Sequence, residues 1–162
     1  MEIIFIFLSI LGIWYFSVFL LYRNTWKKIP NATNKNNKDF VSVIVACRNE
    51  RNNIRNLIQQ IKTQNLDKNR FELIVVNDYS TDDTLPILER EAAIWNKLKV
   101  VCLSEGEGGK KTALEKGISF AKGDVILCTD ADCSVTESWI TTIIDYFSDE
   151  KIKMVSGPVL FE

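Results

Sequence analysis

The distribution of apolar and polar positions divides this chain into three stretches. From Ile3 to Tyr22 no residue is charged, and only Ser9, Gly12 and Ser17 interrupt the apolar run. At about 1.5 Å of rise per residue, such a helix spans the roughly 30 Å of bilayer hydrocarbon. A polar, Asn/Lys-rich stretch without periodicity follows and reads as a linker over residues 23–39. From residue 40 the pattern becomes short β-branched runs separated by helical stripes. FVSVIVAC (40–47), FELIVVN (71–77), KVVCL (99–103) and DVILCT (124–129) read as strands, and KIKMVSG (151–157) as the start of a fifth. Between them Ile54, Leu57, Ile58 and Ile61 recur at helical spacing, followed later by Ile87, Leu88, Ala92 and Trp95. Ser80, Thr81 or Asp82 can cap that second helix. KTALEKGISFA (111–121) reads as a third helix, weakened by Gly117, and Trp139, Ile143, Ile144 and Phe147 stripe a fourth.

Short apolar strands alternating with helices predict an α/β fold with a mainly parallel, Rossmann-like sheet over residues 40–162. In such sheets ligands collect beyond the carboxyl ends of the strands. The polar segments RNE, NDYSTDD and TDADC all fall at those ends. The chemistry is therefore expected along one edge.

The apolar segment, residues 1–22, starts with Met1 and acidic Glu2 and ends on large side chains. A cleaved signal peptide would begin with a basic region and end on small residues, so a retained transmembrane anchor is expected. Arg23, Lys27, Lys28, Lys35 and Lys38 follow it. By the positive-inside rule they place the remaining domain on the cytoplasmic side of the membrane, as a single-pass protein over this length. Asn31-Ala32-Thr33 matches a glycosylation sequon. On the cytoplasmic side and close to the bilayer, it is a chance match.

Composition narrows the chemistry. The 162 residues are 46% hydrophobic and 25% charged with a net charge of −1, so a general nucleic-acid binder is not expected. Histidine is absent, which removes His-based general bases and Ser–His or Cys–His nucleophile pairs. Cys47, Cys102, Cys128 and Cys133 form no CxxC pair and read as small buried hydrophobes in a reducing compartment.

Asp130 and Asp132 stand one residue apart where the fourth strand surfaces. Two carboxylates so close repel unless a cation lies between them. Hard oxygen ligands suit Mg²⁺, Mn²⁺ or Ca²⁺, and Mg²⁺ in particular takes one or two carboxylates plus phosphate oxygens; a solvated turn is the alternative reading of the pair.

The ordered set VSVIVACRNE (41–50), ELIVVNDYSTDDT (72–84), GGKKTALEKGI (108–118) and AKGDVILCTDADC (121–133) resembles the nucleotide-binding half of family 2 glycosyltransferases, inverting enzymes of the GT-A fold. An N-terminal apolar helix further resembles the membrane-anchored members. The resemblance implies a nucleotide-sugar donor, with a lipid-linked or growing-glycan acceptor. By position, Asp78 matches the acid that accepts a hydrogen bond from the uracil imide of a UDP-sugar, and Glu50 a residue near the uridine. Ala46 and Cys47 would approach the nucleotide through backbone, and Lys110 would lie near the diphosphate. Asp130 matches the first member of the family's D-x-D pair, on the ribose or sugar side, and Asp132 the metal ligand.

Two departures stand out. The family's Asp-Asp-Gly-Ser is Asn77-Asp78-Tyr79-Ser80 here, and Glu115 replaces a frequent Asn. Nucleobase preference and a sugar contact at those positions therefore do not transfer with the motif. In the family the catalytic base lies beyond the D-x-D strand, so it is expected past Glu162, and the sequence reads as the donor half of a longer enzyme. A Walker A loop fails, because Ser104 and Lys111 stand where its first Gly and its Ser/Thr belong. No GxGxxG follows the first strand, which removes a dinucleotide dehydrogenase. A nucleotidyltransferase and a membrane-tethered nucleotide-sugar binding module without activity remain as alternatives.

Overall fold

The structure, a computed structural model, describes residues 1–26, 38–104 and 106–157. Its elements run α1 (Glu2–Trp26), β1 (Val41–Cys47), α2 (Ile54–Lys62), β2 (Phe71–Asn77), α3 (Thr84–Ile94), β3 (Leu98–Cys102), α4 (Lys110–Ser119), β4 (Val125–Asp130) and α5 (Trp139–Tyr146). Residues 1–31 and 32–162 form two separate units.

In the first unit, α1 is long and apolar enough to cross a membrane from Glu2 to Thr25. Two of its hydroxyls bond back to the helix, Ser17 Oγ donating to Ile13 O at 2.8 Å and Thr25 Oγ1 to Leu21 O at 2.9 Å. The sequon lies outside the described residues.

In the second unit, four parallel strands form one sheet in the order β3-β2-β1-β4. The β-branched runs predict this, because both faces are covered. On one face Val41, Val43 and Val45 of β1 with Phe71, Leu73 and Val75 of β2 pack against α2, α3 and α5 through Ile54, Leu57, Ile87, Leu88, Ile140 and Ile144. On the other, Ile44, Ile74 and Val76 meet α4 through Ala113. Between α2 and α3, the buried Glu91 carboxylate accepts from Lys62 Nζ at 2.7 Å and pairs with Arg55 Nε at 3.5 Å.

Gly117, which lowers helix propensity, is a packing requirement. A Cβ there would stand 2.5 Å from Ile44 Cγ2 and 3.1 Å from Val76 Cγ2. Ala113 and Gly117, one turn apart, let α4 lie directly on the sheet.

Two expectations are corrected. Residues 152–157 form no strand: the segment follows a turn and has no neighbour to pair with among the described residues. Cys102 and Cys128 are exposed and Cys133 is half-buried; only Cys47 is a buried hydrophobe. The two exposed thiols sit at or near the ends of the outer strands β3 and β4, whose last residues have lost cover on one face.

Candidate active site

The strand order reverses between β1 and β4: the chain steps from β1 through β2 to β3 in one direction, then returns to the other side of β1. At such a reversal the crossovers diverge and leave a crevice beyond the carboxyl ends. A cleft of about 250 Å³ lies there. Ala46, Cys47 and Glu50 from the β1 exit, Asp78 from the β2 exit, Lys110 from α4, and Asp130 and Asp132 from the β4 exit all line it. The seven residues singled out in the sequence thus share one site. Arg48 and Ala131 line it too and were not singled out; Arg48 sits within the RNE segment.

Hydrogen bonds fix the β1 and β2 exits to each other. Asp78 N donates to Cys47 O at 2.9 Å, Asn49 N to Ser80 Oγ at 3.0 Å and Glu50 N to Thr84 Oγ1 at 2.8 Å. Thr81 N returns a bond to Asn49 Oδ1 at 2.7 Å. The cap expectation is corrected: the N-cap of α3 is Asp83, which makes no side-chain cap bond, while Asp82 just before it accepts from Thr84 N at 3.0 Å through Oδ1. These bonds keep Asp82 below the usual aspartate range, the Thr84 hydroxyl first.

The loop after Asp132 is anchored from α2 and the turn after it. Gln60 Oε1 accepts from Val135 N at 2.8 Å, and buried Gln64 accepts from Ile140 N at 2.9 Å while donating to Thr136 O at 2.6 Å. Neither glutamine stands out in the sequence, since an amide at the edge of an amphipathic helix ordinarily faces solvent.

Within the cleft, Asp78 is 6% exposed, and its Oδ2 accepts from Gly109 N at 3.0 Å. Its Oδ1 is buried and has no donor among the described residues. An unmet buried acceptor costs about 1–3 kcal/mol, so its presence at a cleft marks a place for an incoming N–H or O–H. Lys110 opens α4, where the positive end of the helix dipole disfavours a cation. It is held by Asp130, whose Oδ1 lies 2.6 Å from Lys110 Nζ. That hydrogen bond, with the charges of Asp130 and Asp132, raises the lysine's pKa. Burial, with Glu50 next, pushes the Cys47 thiol up to about 12, so it stays protonated and is not a nucleophile.

For a divalent cation the donor set is two carboxylates. Among the described residues no group of three acidic, Cys or His side chains forms a metal site by itself. Asp130 and Asp132 fit an ion that takes the rest of its shell from water and diphosphate, as Mg²⁺ and Mn²⁺ do. They do not form a cage for calcium. With Lys110 beside them, the cleft collects the cations that a diphosphate needs.

The chain is similar to known proteins in sequence and in fold. The family model described as Glycosyl transferase family 2 matches residues 42–161, which include every residue of the cleft. A beta-monoglucosyldiacylglycerol synthase from Nostoc sp. is 32% identical over 117 residues, 72% of this chain and 25% of that protein. The glycosyltransferase AglE of Haloferax volcanii is 28% identical over 122 residues, 75% of this chain and 40% of its own. The chain therefore spans well under half the length of these curated relatives. A mannosyltransferase from Pyrobaculum calidifontis, solved in complex with GDP-Man and Mn²⁺, superposes with a TM-score of 0.70 at 26% identity, covering 82% of this chain and 39% of that one. TarS of Staphylococcus aureus, solved in complex with UDP, superposes with a TM-score of 0.62 at 27% identity, over 76% of this chain and 38% of its own. Fold and matched segment agree: the chain has the GT-A architecture and belongs to glycosyl transferase family 2.

Proposed function

We propose that this chain is the donor-binding part of an inverting, divalent-metal-dependent glycosyltransferase that uses a UDP-sugar. The observation that carries the reading is the buried, donorless Oδ1 of Asp78 in the cleft that also holds Lys110, Asp130 and Asp132. An imide N–H of uracil supplies the missing donor, with Glu50 and the backbone of Ala46 and Cys47 around the nucleoside. Asp130 and Asp132 hold Mg²⁺ or Mn²⁺, Asp132 as the main ligand. When bound, the cation neutralises charge that develops on the departing diphosphate. Lys110 gives its ammonium to the same leaving group and Asp130 turns to the ribose or sugar side.

Inversion needs one further carboxylate to take the acceptor's proton. Asp78, Asp130 and Asp132 are occupied by the donor in this reading, so the base comes from outside the described residues, where Glu162 also lies. The acceptor is lipid-linked or a growing glycan, which the resemblance to a glycolipid synthase supports. Residues 1–22 serve as a membrane anchor, 23–39 as a basic linker and 40–162 as the nucleotide-sugar-binding region on the cytoplasmic side.

Calorimetry of the detergent-solubilised chain with UDP, GDP and CDP, each with and without Mn²⁺, tests this. Metal-dependent binding of UDP in preference to GDP, abolished in Asp132→Ala, is expected. Preference for GDP would replace the donor class, and binding indifferent to metal would remove the carboxylate–cation role.

A further inference from the structure

We propose that Tyr79 is a nucleobase-contacting residue of this site, an inference that rests on the nucleotide-binding reading above. Among the described residues only Asn49 (φ 58°) and Tyr79 (φ 49°) adopt the left-handed region without being glycine. Asparagine tolerates that region through local hydrogen bonding; an aromatic residue with a Cβ does not. Strain of this kind persists only where something outside the local backbone retains it.

The fold itself gives Tyr79 little in return. Its residue is 41% exposed and belongs to neither core cluster. Its ring stacks on no other aromatic and its hydroxyl has no hydrogen-bond partner among the described residues. A glycine would take the same φ without cost.

Position supplies the role. The bond from Asp78 N to Cys47 O and the bond from Asn49 N to Ser80 Oγ bracket Arg48 on one loop and Tyr79 on the other. Arg48 and Asp78 both line the cleft, and Tyr79 directly follows Asp78, so these bonds fix its backbone next to the cleft's lining. A planar, solvent-facing ring there fits the face of a nucleobase. Stacking of this kind is tolerant of base identity, so Tyr79 sets affinity for the nucleoside while Asp78 reads its edge.

The test compares UDP and inorganic pyrophosphate, both with Mn²⁺, on the full chain in detergent. Tyr79→Gly is expected to weaken UDP about tenfold, to leave pyrophosphate unchanged, and to hold or raise the melting temperature. Tyr79→Phe keeps UDP affinity near that of the parent. UDP binding that Asp78→Asn weakens and Tyr79→Gly leaves intact would overturn this inference alone. So would equal losses for UDP and pyrophosphate, which indicate a distorted loop. A parent chain that binds no nucleoside diphosphate removes both this inference and the reading beneath it.

Discussion

Lys110 Nζ stands 2.6 Å from Asp130 Oδ1, joining the first residue of α4 to the last residue of β4 beside the cleft that both line. The side chains are 63% and 50% exposed, so solvent screens the pair and its share of folding stability is under about 1 kcal/mol. Lys110→Ala should therefore leave the denaturant midpoint almost unchanged while weakening UDP by about tenfold or more, as loss of a charge-assisted contact does. Parallel denaturation and calorimetry separate the two effects. A large stability loss with unchanged UDP affinity would make Lys110 structural.

Acid sensitivity follows from Asp82. Thr84 holds its carboxyl below the usual range, so folding favours the charged form. A depressed folded pKa gives stability that is present above the unfolded value and fades as pH falls through the folded one. The stability gap between the parent and Asp82→Asn should be open at neutral pH and narrow below about pH 4. Denaturant titrations at stepped pH read it, and a gap that stays constant to low pH contradicts the account.

Gly117→Ala sets two effects of opposite sign against each other. Helix propensity alone favours alanine by up to about 1 kcal/mol. The new Cβ meets Ile44 and Val76 at 2.5 and 3.1 Å, and both are fully buried, β-branched and unable to turn aside. Overpacking of this kind costs about 1–3 kcal/mol, so a net loss of stability is expected from chemical denaturation. A stabilised variant would mean that α4 lies farther from the sheet.

Ser42 provides the control at the other end of the strands. Its Oγ accepts from Gly123 N at 2.8 Å and Lys122 N at 3.1 Å and donates to Glu72 Oε1 at 2.7 Å. Ser42→Ala strands at least the Gly123 N–H and should cost about 1–3 kcal/mol. Because Ser42 lies near the start of β1, UDP affinity of the folded fraction should not change. Loss of affinity along with stability would show that the cleft depends on the whole sheet's rigidity.

These residues also mark how far the sequence was legible. The four strands could be read because parallel strands buried on both faces leave uninterrupted β-branched runs; 71–77 agrees to the residue, and the others lie within one residue at either end. The α2 stripe was legible from its helical spacing, as its three isoleucines and one leucine are all buried. KIKMVSG has the composition of a strand without a partner among the described residues, and pairing is not written in local composition. Cys102 and Cys128 looked buried because apolar neighbours surround them in sequence, whereas exposure depends on which helix covers the sheet's edge. The carboxylates and Lys110 were placed because the strand exits converge at the reversal of strand order. Arg48 was passed over because an arginine after a strand ordinarily faces solvent, and Gly117 counted as a weakness because its contacts are tertiary.

The account depends on a cation held by carboxylate oxygens at the exit of β4, and anomalous scattering locates it directly. Crystals of the chain soaked with UDP and Mn²⁺ should show a manganese peak within coordination reach of Asp132, bridged to the diphosphate, with the uracil edge at Asp78 Oδ1. Nucleotide bound with no manganese at Asp132, or manganese bound elsewhere on the chain, would contradict it.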